Sequence, residues 1–213
     1  MQEITAPAPR GSYRHGDLRR ALVEAGVALA RAGGPDAVVL REATRRAGVV
    51  PNAAYRHFTS RRALLQAVRA AALAAAAAAM EAELDTLDRA LPPVAFARAS
   101  LRAVGAGYLR FARAETGLFR MAFAAPDEAW AASGPAMAGG SGLNPFELLG
   151  AALDRLVAAG VLPSQRRPGA EYLAWSAVHG FAMLAIDGPL RGIREAEAER
   201  LGARLLDMVE AGL

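Results

Sequence analysis

Apolar positions recur along the chain at three- and four-residue spacing, and no stretch alternates with period two for long enough to form a strand, so the pattern predicts an all-α fold. Leu18, Leu22, Ala25 and Leu29 fall on one helical face behind Asp17, a good N-cap, and the breaker pair Gly33 and Gly34 ends this first helix, predicted over 17–32. Leu40, Ala43 and Ala47 define a short second helix that stops at Gly48. A third opens on Pro51, suited to a first helical turn, and closes near Phe58. Ser60 caps a fourth that runs through Leu64, Leu65, Val68 and Leu73 into an alanine-rich stretch and reaches residue 87, ahead of Pro92 and Pro93. Further helices are predicted over 94–115, 117–124, 145–160, 168–188 and 192–211.

Two short helices joined by a glycine turn, behind a longer first one, make the layout of a helix-turn-helix, in which the third helix enters the DNA major groove. Gly48 permits the left-handed turn, and Ala43, Ala47, Ala54 and Phe58 are the apolar residues available for burial. Asn52, Ala53, Tyr55, Arg56 and His57 are then left facing outward. Asn and Arg pair bidentately with adenine and guanine, whereas Tyr and His suit phosphate oxygens.

Charge sharpens this picture. Every basic residue is Arg, and residues 1–69 hold twelve of them against five carboxylates, a net of +7, while the remainder is net −3. The front is a cationic module on a mildly acidic body, which points to a polyanion partner: nucleic acid, or alternatively an anionic membrane surface used by a helical interaction protein. No run of 18 uncharged apolar residues occurs, since the alanine-rich stretch is bounded by Arg69 and Glu81, and no membrane partner is expected. Cysteine is absent and no charged-then-apolar leader precedes Arg10, so the cytosol is the expected compartment. Residues 1–12, rich in Pro and small residues, are expected to form a flexible arm.

HGDLRRALVEAGVALARAGG and LREATRRAGVVPNAAYRHFTSRRALL together resemble the DNA-binding domain of the TetR family of bacterial repressors. The resemblance implies that Tyr55 and His57 touch phosphate, that Pro51, Asn52, Ala53 and Arg56 face the bases or their backbone, and that Arg61 replaces a usual lysine at the start of the fourth helix. With Arg41 these form the expected DNA-contacting set. Two positions depart from the family pattern: Val39 stands where Thr usually caps the second helix, and Val50 where Ser usually precedes the proline. Neither valine can accept an orphan N–H, so about 1 kcal/mol per cap is expected to be missing.

The segment YLAWSAVHGFAMLAI is uncharged and apolar all round, the pattern of a helix buried on more than one side. Trp175, His179, Ala182 and Ile186 are expected on an interior face. Ala174, Ala177, Phe181, Leu184 and Gly188 are expected on a second face toward a partner subunit, with a last helix carrying Ile193, Leu201, Leu205, Met208 and Val209 as companion. WSAVHG and YLRFARAETGLFRMAF resemble a Trp-x-x-x-His-Gly subgroup of TetR regulatory domains. The two faces point to a homodimer, and the aromatic and Met residues of the body point to a small, largely apolar effector, with Tyr108, Phe111, Phe119, Phe123, Trp130, Trp175, His179 and Met183 as the expected pocket and Phe96, Met121 and Phe146 as further candidates. The Gly- and Pro-rich connection 126–144 has the composition of a lid. The three histidines lie in different elements and no hydrolase, Walker or dinucleotide motif occurs, so no catalytic residue, metal or cofactor is expected. The expected organisation is an arm at 1–12, a helix-turn-helix domain at 13–60 and a ligand-binding and dimerisation domain at 61–213.

Overall fold

A computed structural model describes residues 15–124 and 134–213. Among these residues every regular element is helical: α1 (His15–Gly33), α2 (Leu40–Arg46), α3 (Pro51–Tyr55), α4 (Arg61–Asp85), α5 (Pro93–Ala114), α6 (Thr116–Phe123), α7 (Pro145–Ala158), α8 (Ala170–Ile186) and α9 (Glu195–Gly212). Three short 3₁₀ turns, Pro35–Ala37, Pro135–Met137 and Ser164–Arg166, were not foreseen. Several boundaries follow single glycines. Gly169 and Gly192 have φ of 80° and 93°, so α8 cannot begin at 168 nor α9 at 192, where the sequence pattern places them.

The alanine-rich stretch makes α4 the spine of the molecule. Its small side chains let neighbours approach on several sides at once, and α1, α5, α6 and α7 all pack on it. Leu64, Val68, Ala72, Ala76, Ala77 and Met80 are buried in those contacts. By length and composition α4 could cross a membrane, with a window of mean hydropathy 1.6. Its partners in the fold are instead other helices of the same chain.

Glycines on the partner helices tighten the same packing. At Gly26 of α1 a β-carbon would lie 2.4 Å from the Val68 side chain, and at Gly107 of α5 it would lie 2.6 Å from the backbone of Met80. In α4 the Ser60 hydroxyl accepts the Ala63 N–H at 3.2 Å, the cap expected from the sequence. Helix α7 opens with a full capping box: Asn144 Oδ1 accepts the Phe146 and Glu147 N–H groups, and the Glu147 carboxylate accepts the Asn144 N–H.

Polar contacts fasten α1 and α4 to α6 and the turn before it. Arg31 at the end of α1 donates Nε to Glu115 at 2.7 Å, and Arg69 donates Nε to the Ala122 carbonyl at 3.0 Å. The loop 139–141 grips α4 itself: the N–H groups of Gly140 and Ser141 donate to the Glu81 carboxylate at 2.8 and 2.9 Å, and the Ser141 hydroxyl joins them. Burial would raise the Glu81 pKa, but these donors outweigh it and hold the group below its ordinary 4.5.

Candidate nucleic-acid interface and ligand pocket

The turn between α2 and α3 is built by the backbone. Gly48, at φ 68°, donates to the Arg45 carbonyl, and Val49 donates to the Thr44 carbonyl, the paired bonds of a Schellman termination. The turn directs α3 across α2 with Ala54 and Phe58 buried and Asn52, Tyr55 and Arg56 exposed. Tyr55 keeps 55% of its surface in solvent. The helix is shorter than predicted: its regular part ends at Tyr55, Arg56 is the C-cap, and His57, half-buried, lies in the closing turn that leads to Phe58. Ala53 is half-buried against the core, so it presents less outward surface than expected. Arg19 lies over the Phe58 ring at 5.3 Å, sealing the underside of α3 with a cation–π contact.

Neither α2 nor α3 has a side-chain N-cap, as the valines at 39 and 50 implied. Val50 is 69% exposed beside Pro51. Arg41 is exposed on α2, whereas Arg45 makes a two-point contact with Glu42, at 2.9 and 2.5 Å, and Arg46 lies 3.7 Å from the same carboxylate. The Arg45 hydrogen bonds hold the Glu42 carboxyl below its ordinary value. Arg61, of the expected DNA-contacting set, is exposed at the start of α4. It donates Nε to the Val38 carbonyl at 2.8 Å and Nη2 to the Pro35 carbonyl at 3.0 Å, fastening the 3₁₀ turn before α2.

The body contains a cavity of about 530 Å³ between α4, α5, α6, α7, α8 and α9. Of the expected pocket residues, Tyr108, Phe123 and Trp175 line it, as does Phe146. The rings touch in sequence, Tyr108 to Phe123 at 5.6 Å, Phe123 to Trp175 at 6.2 Å and Trp175 to Phe146 at 6.1 Å. Phe111, Phe119 and Met121 are buried core residues outside the lining. Met183 is exposed on the outer side of α8 beside Leu184, away from the cavity, and Phe96 lies beneath Arg89 at 5.8 Å. Trp130 lies outside the described residues.

His179 does not line the cavity but stands behind it, stacked on Phe119 at 5.5 Å. Its Nδ1 lies 2.7 Å from the Tyr108 hydroxyl, which also accepts the Trp175 N–H at 3.2 Å. Burial pushes the Tyr108 pKa up and the His179 pKa down, so both groups are uncharged at neutral pH. The remaining wall was not anticipated: Leu73 and Met80 of α4, Leu101 and Val104 of α5, Met137 of the loop, and Leu206 and Val209 of α9. These aliphatic residues carry the same helical periodicity as core, and only the gap between the surrounding helices distinguishes them.

Comparison with known proteins places both halves of the chain in one family. Residues 22–68 match the family model of bacterial regulatory proteins of the tetR family, and residues 101–209, half of the chain, match that of the tetracyclin repressor-like C-terminal domain. The chain belongs to the TetR family. As a TetR-family member it is a DNA-binding transcriptional regulator with an all-α architecture. No functionally curated protein matches it. A protein of unknown function from Rhodococcus sp. RHA1 is 27% identical, with a TM-score of 0.74 over 96% of this chain and 99% of that one. A variant of TetR from Acinetobacter baumannii AYE in complex with minocycline is 18% identical, with a TM-score of 0.58 over 94% of this chain and 96% of that one. A TetR-family regulator from Thermus thermophilus is 21% identical, with a TM-score of 0.52 over 90% of this chain and 98% of that one.

Proposed function

We propose that this TetR-family regulator is a homodimeric repressor that leaves a pseudo-palindromic operator when a small, largely apolar effector fills the cavity of the body. The observation that carries this reading is the exposure of Asn52, Tyr55 and Arg56 on a glycine-turned helix of a cationic module whose α1 and α4 reach back to the cavity helices. Asn52 and Arg56 read base edges, with Pro51 and Ala53 close to the backbone of the same bases. Tyr55, His57 and Arg41 hold phosphates. The reading module is 13–60 and the responding module 61–213, and the protein works in the cytoplasm beside the chromosome.

Dimerisation uses the outer face of α8 and α9. Leu173, Leu184 and Met208 are exposed apolar residues there, and Ala177 and Gly180 between them permit close helix approach. Two recognition helices must then lie about one DNA turn apart, roughly 34 Å, to enter successive major grooves. An effector acts by favouring a dimer with a different spacing. The route runs through α4 and also through α6, which bears Phe123 in the cavity wall and touches α1 at its other end.

Selection from a random DNA pool tests this: an inverted repeat with half-sites about one turn apart is expected, and enrichment of none would remove the repressor reading. Vesicles of anionic lipid provide the contrast. Binding to them that persists in Tyr55→Ala, with no DNA enriched, would assign the cationic front to a membrane surface.

A further inference from the structure

Most polar groups of the cavity wall are already engaged with the protein. The Glu147 carboxylate accepts the Asn144 N–H at 2.8 Å, Asn144 Oδ1 accepts two backbone N–H groups, and Arg69 Nε is held by the Ala122 carbonyl. Arg69 and Glu147 are the charged residues of the lining, and their signs cancel. An ionic guest would give up its hydration to a wall of zero net charge, an unfavourable exchange.

The Tyr108 hydroxyl is different. It has one hydrogen and two lone pairs, and Trp175, a donor only, occupies one lone pair. The second partner, His179 Nδ1, is a neutral imidazole nitrogen and exists in two tautomers. With the imidazole proton on Nε2, Nδ1 takes the Tyr108 hydrogen and one phenolic lone pair is left for a guest. With the proton on Nδ1, both lone pairs are filled and the Tyr108 O–H is left to donate. Loss of a proton from one ring nitrogen to solvent and gain of one at the other therefore converts the same oxygen from acceptor to donor without moving a heavy atom. Around it the walls are rings: Phe123, Phe146 and Trp175 offer faces and edges suited to another ring system.

We propose, building on the reading of this cavity as the effector site, that the effector is a neutral ring-containing compound whose single uncharged polar group docks on the Tyr108 hydroxyl, and that His179 is the positioning residue whose tautomer decides whether Tyr108 donates or accepts. Equilibrium dialysis of the full chain at pH 7.5 against four bicyclic probes tests it: 2-naphthol, which donates and accepts; 2-methoxynaphthalene, which only accepts; naphthalene, which does neither; and 2-naphthoate, an anion. The first two are expected to bind about three- to tenfold more tightly than naphthalene, the worth of one hydrogen bond, and the naphthoate more weakly. In Tyr108→Phe that advantage disappears while naphthalene affinity is unchanged, which shows an intact cavity.

The role of His179 has its own signature. In protein labelled with ¹⁵N-histidine, three residues give signals, and His179→Gln identifies the one concerned. Bound 2-methoxynaphthalene is expected to move the His179 proton to Nδ1, and naphthalene is not. Equal affinity for naphthol and naphthalene overturns Tyr108 as the reader while leaving the cavity a ligand site. Tightest binding by naphthoate overturns the neutral class, and one unchanging tautomer with every probe overturns the role of His179. Absence of binding by all four removes the effector-site reading itself, and this inference with it.

Discussion

Gly117 of α6 lies backbone to backbone against Ala30 of α1, so close that a β-carbon at 117 would stand 2.3 Å from the Ala30 carbonyl oxygen. Main chain cannot give way as a flexible side chain can. The reading module and the cavity wall are therefore in rigid contact at a point far along the sequence from their covalent link, and Arg31 and Glu115 fasten the same seam. Gly117→Ala is expected to lower stability by about 1–3 kcal/mol, the usual range for overpacking, as read by urea denaturation. The same variant should change operator affinity, whereas an equally destabilising change remote from the seam should not.

Installing the missing caps should stabilise the front. Val39 has φ −118° and ψ 133°, and Val50 has φ −72° and ψ 145°, the extended backbone from which a Ser or Thr side chain reaches the first turn of a helix. Val39→Thr and Val50→Ser are each expected to add about 1 kcal/mol, measured as a raised urea midpoint with unchanged slope.

Substitutions on α3 should divide by what they do to sequence preference. Asn52→Ala is expected to cost about 1–3 kcal/mol on the selected operator and little on scrambled DNA. Tyr55→Phe should weaken both by a similar factor, because a phosphate contact carries no sequence information. Fluorescence anisotropy on the two duplexes at fixed salt distinguishes them.

The Glu81 grip gives a pH dependence with a defined sign. A carboxyl held below its ordinary 4.5 in the fold stabilises the protein above that pH, and the contribution fades as pH falls through the folded value. Ser141→Ala is expected to lower stability by up to about 1 kcal/mol at pH 7. The difference from the parent protein should shrink below pH 4.5, read from denaturation curves at both ends of the range.

Placing a charge on the outer face of α8 should separate subunits. Leu184→Arg is expected to shift light-scattering mass from dimer to monomer while leaving the helical circular dichroism intact. Operator binding should fall with it, since one subunit offers one half-site.

The helix-turn-helix was legible because its period, its glycine and its polar residues all agree. Ala54 and Phe58 fall inside and Asn52, Tyr55 and Arg56 outside, as spacing alone implies. Helix α8 was less so. With no charged residue between 172 and 186, nothing in its sequence marks an outer face, and Ala174, expected toward a partner, is buried with Val178 instead. Arg61 donates to carbonyls 23 and 26 residues away, a pairing that local spacing cannot encode. The cavity was read by ring type, which brought in Phe111 and Phe119 from the solid core and omitted Leu206 and Val209. Whether an apolar side chain borders other atoms or empty space depends on how six helices meet.

The alanines of α4 have a mechanical meaning as well. A surface of methyl groups is corrugated only shallowly, so a helix lying on it meets low ridges and can change register by small increments without unlocking large side chains. In the proposed dimer, where the output is the distance between two reading heads, such a surface makes α4 a straight shaft against which neighbouring helices can be repositioned in small steps.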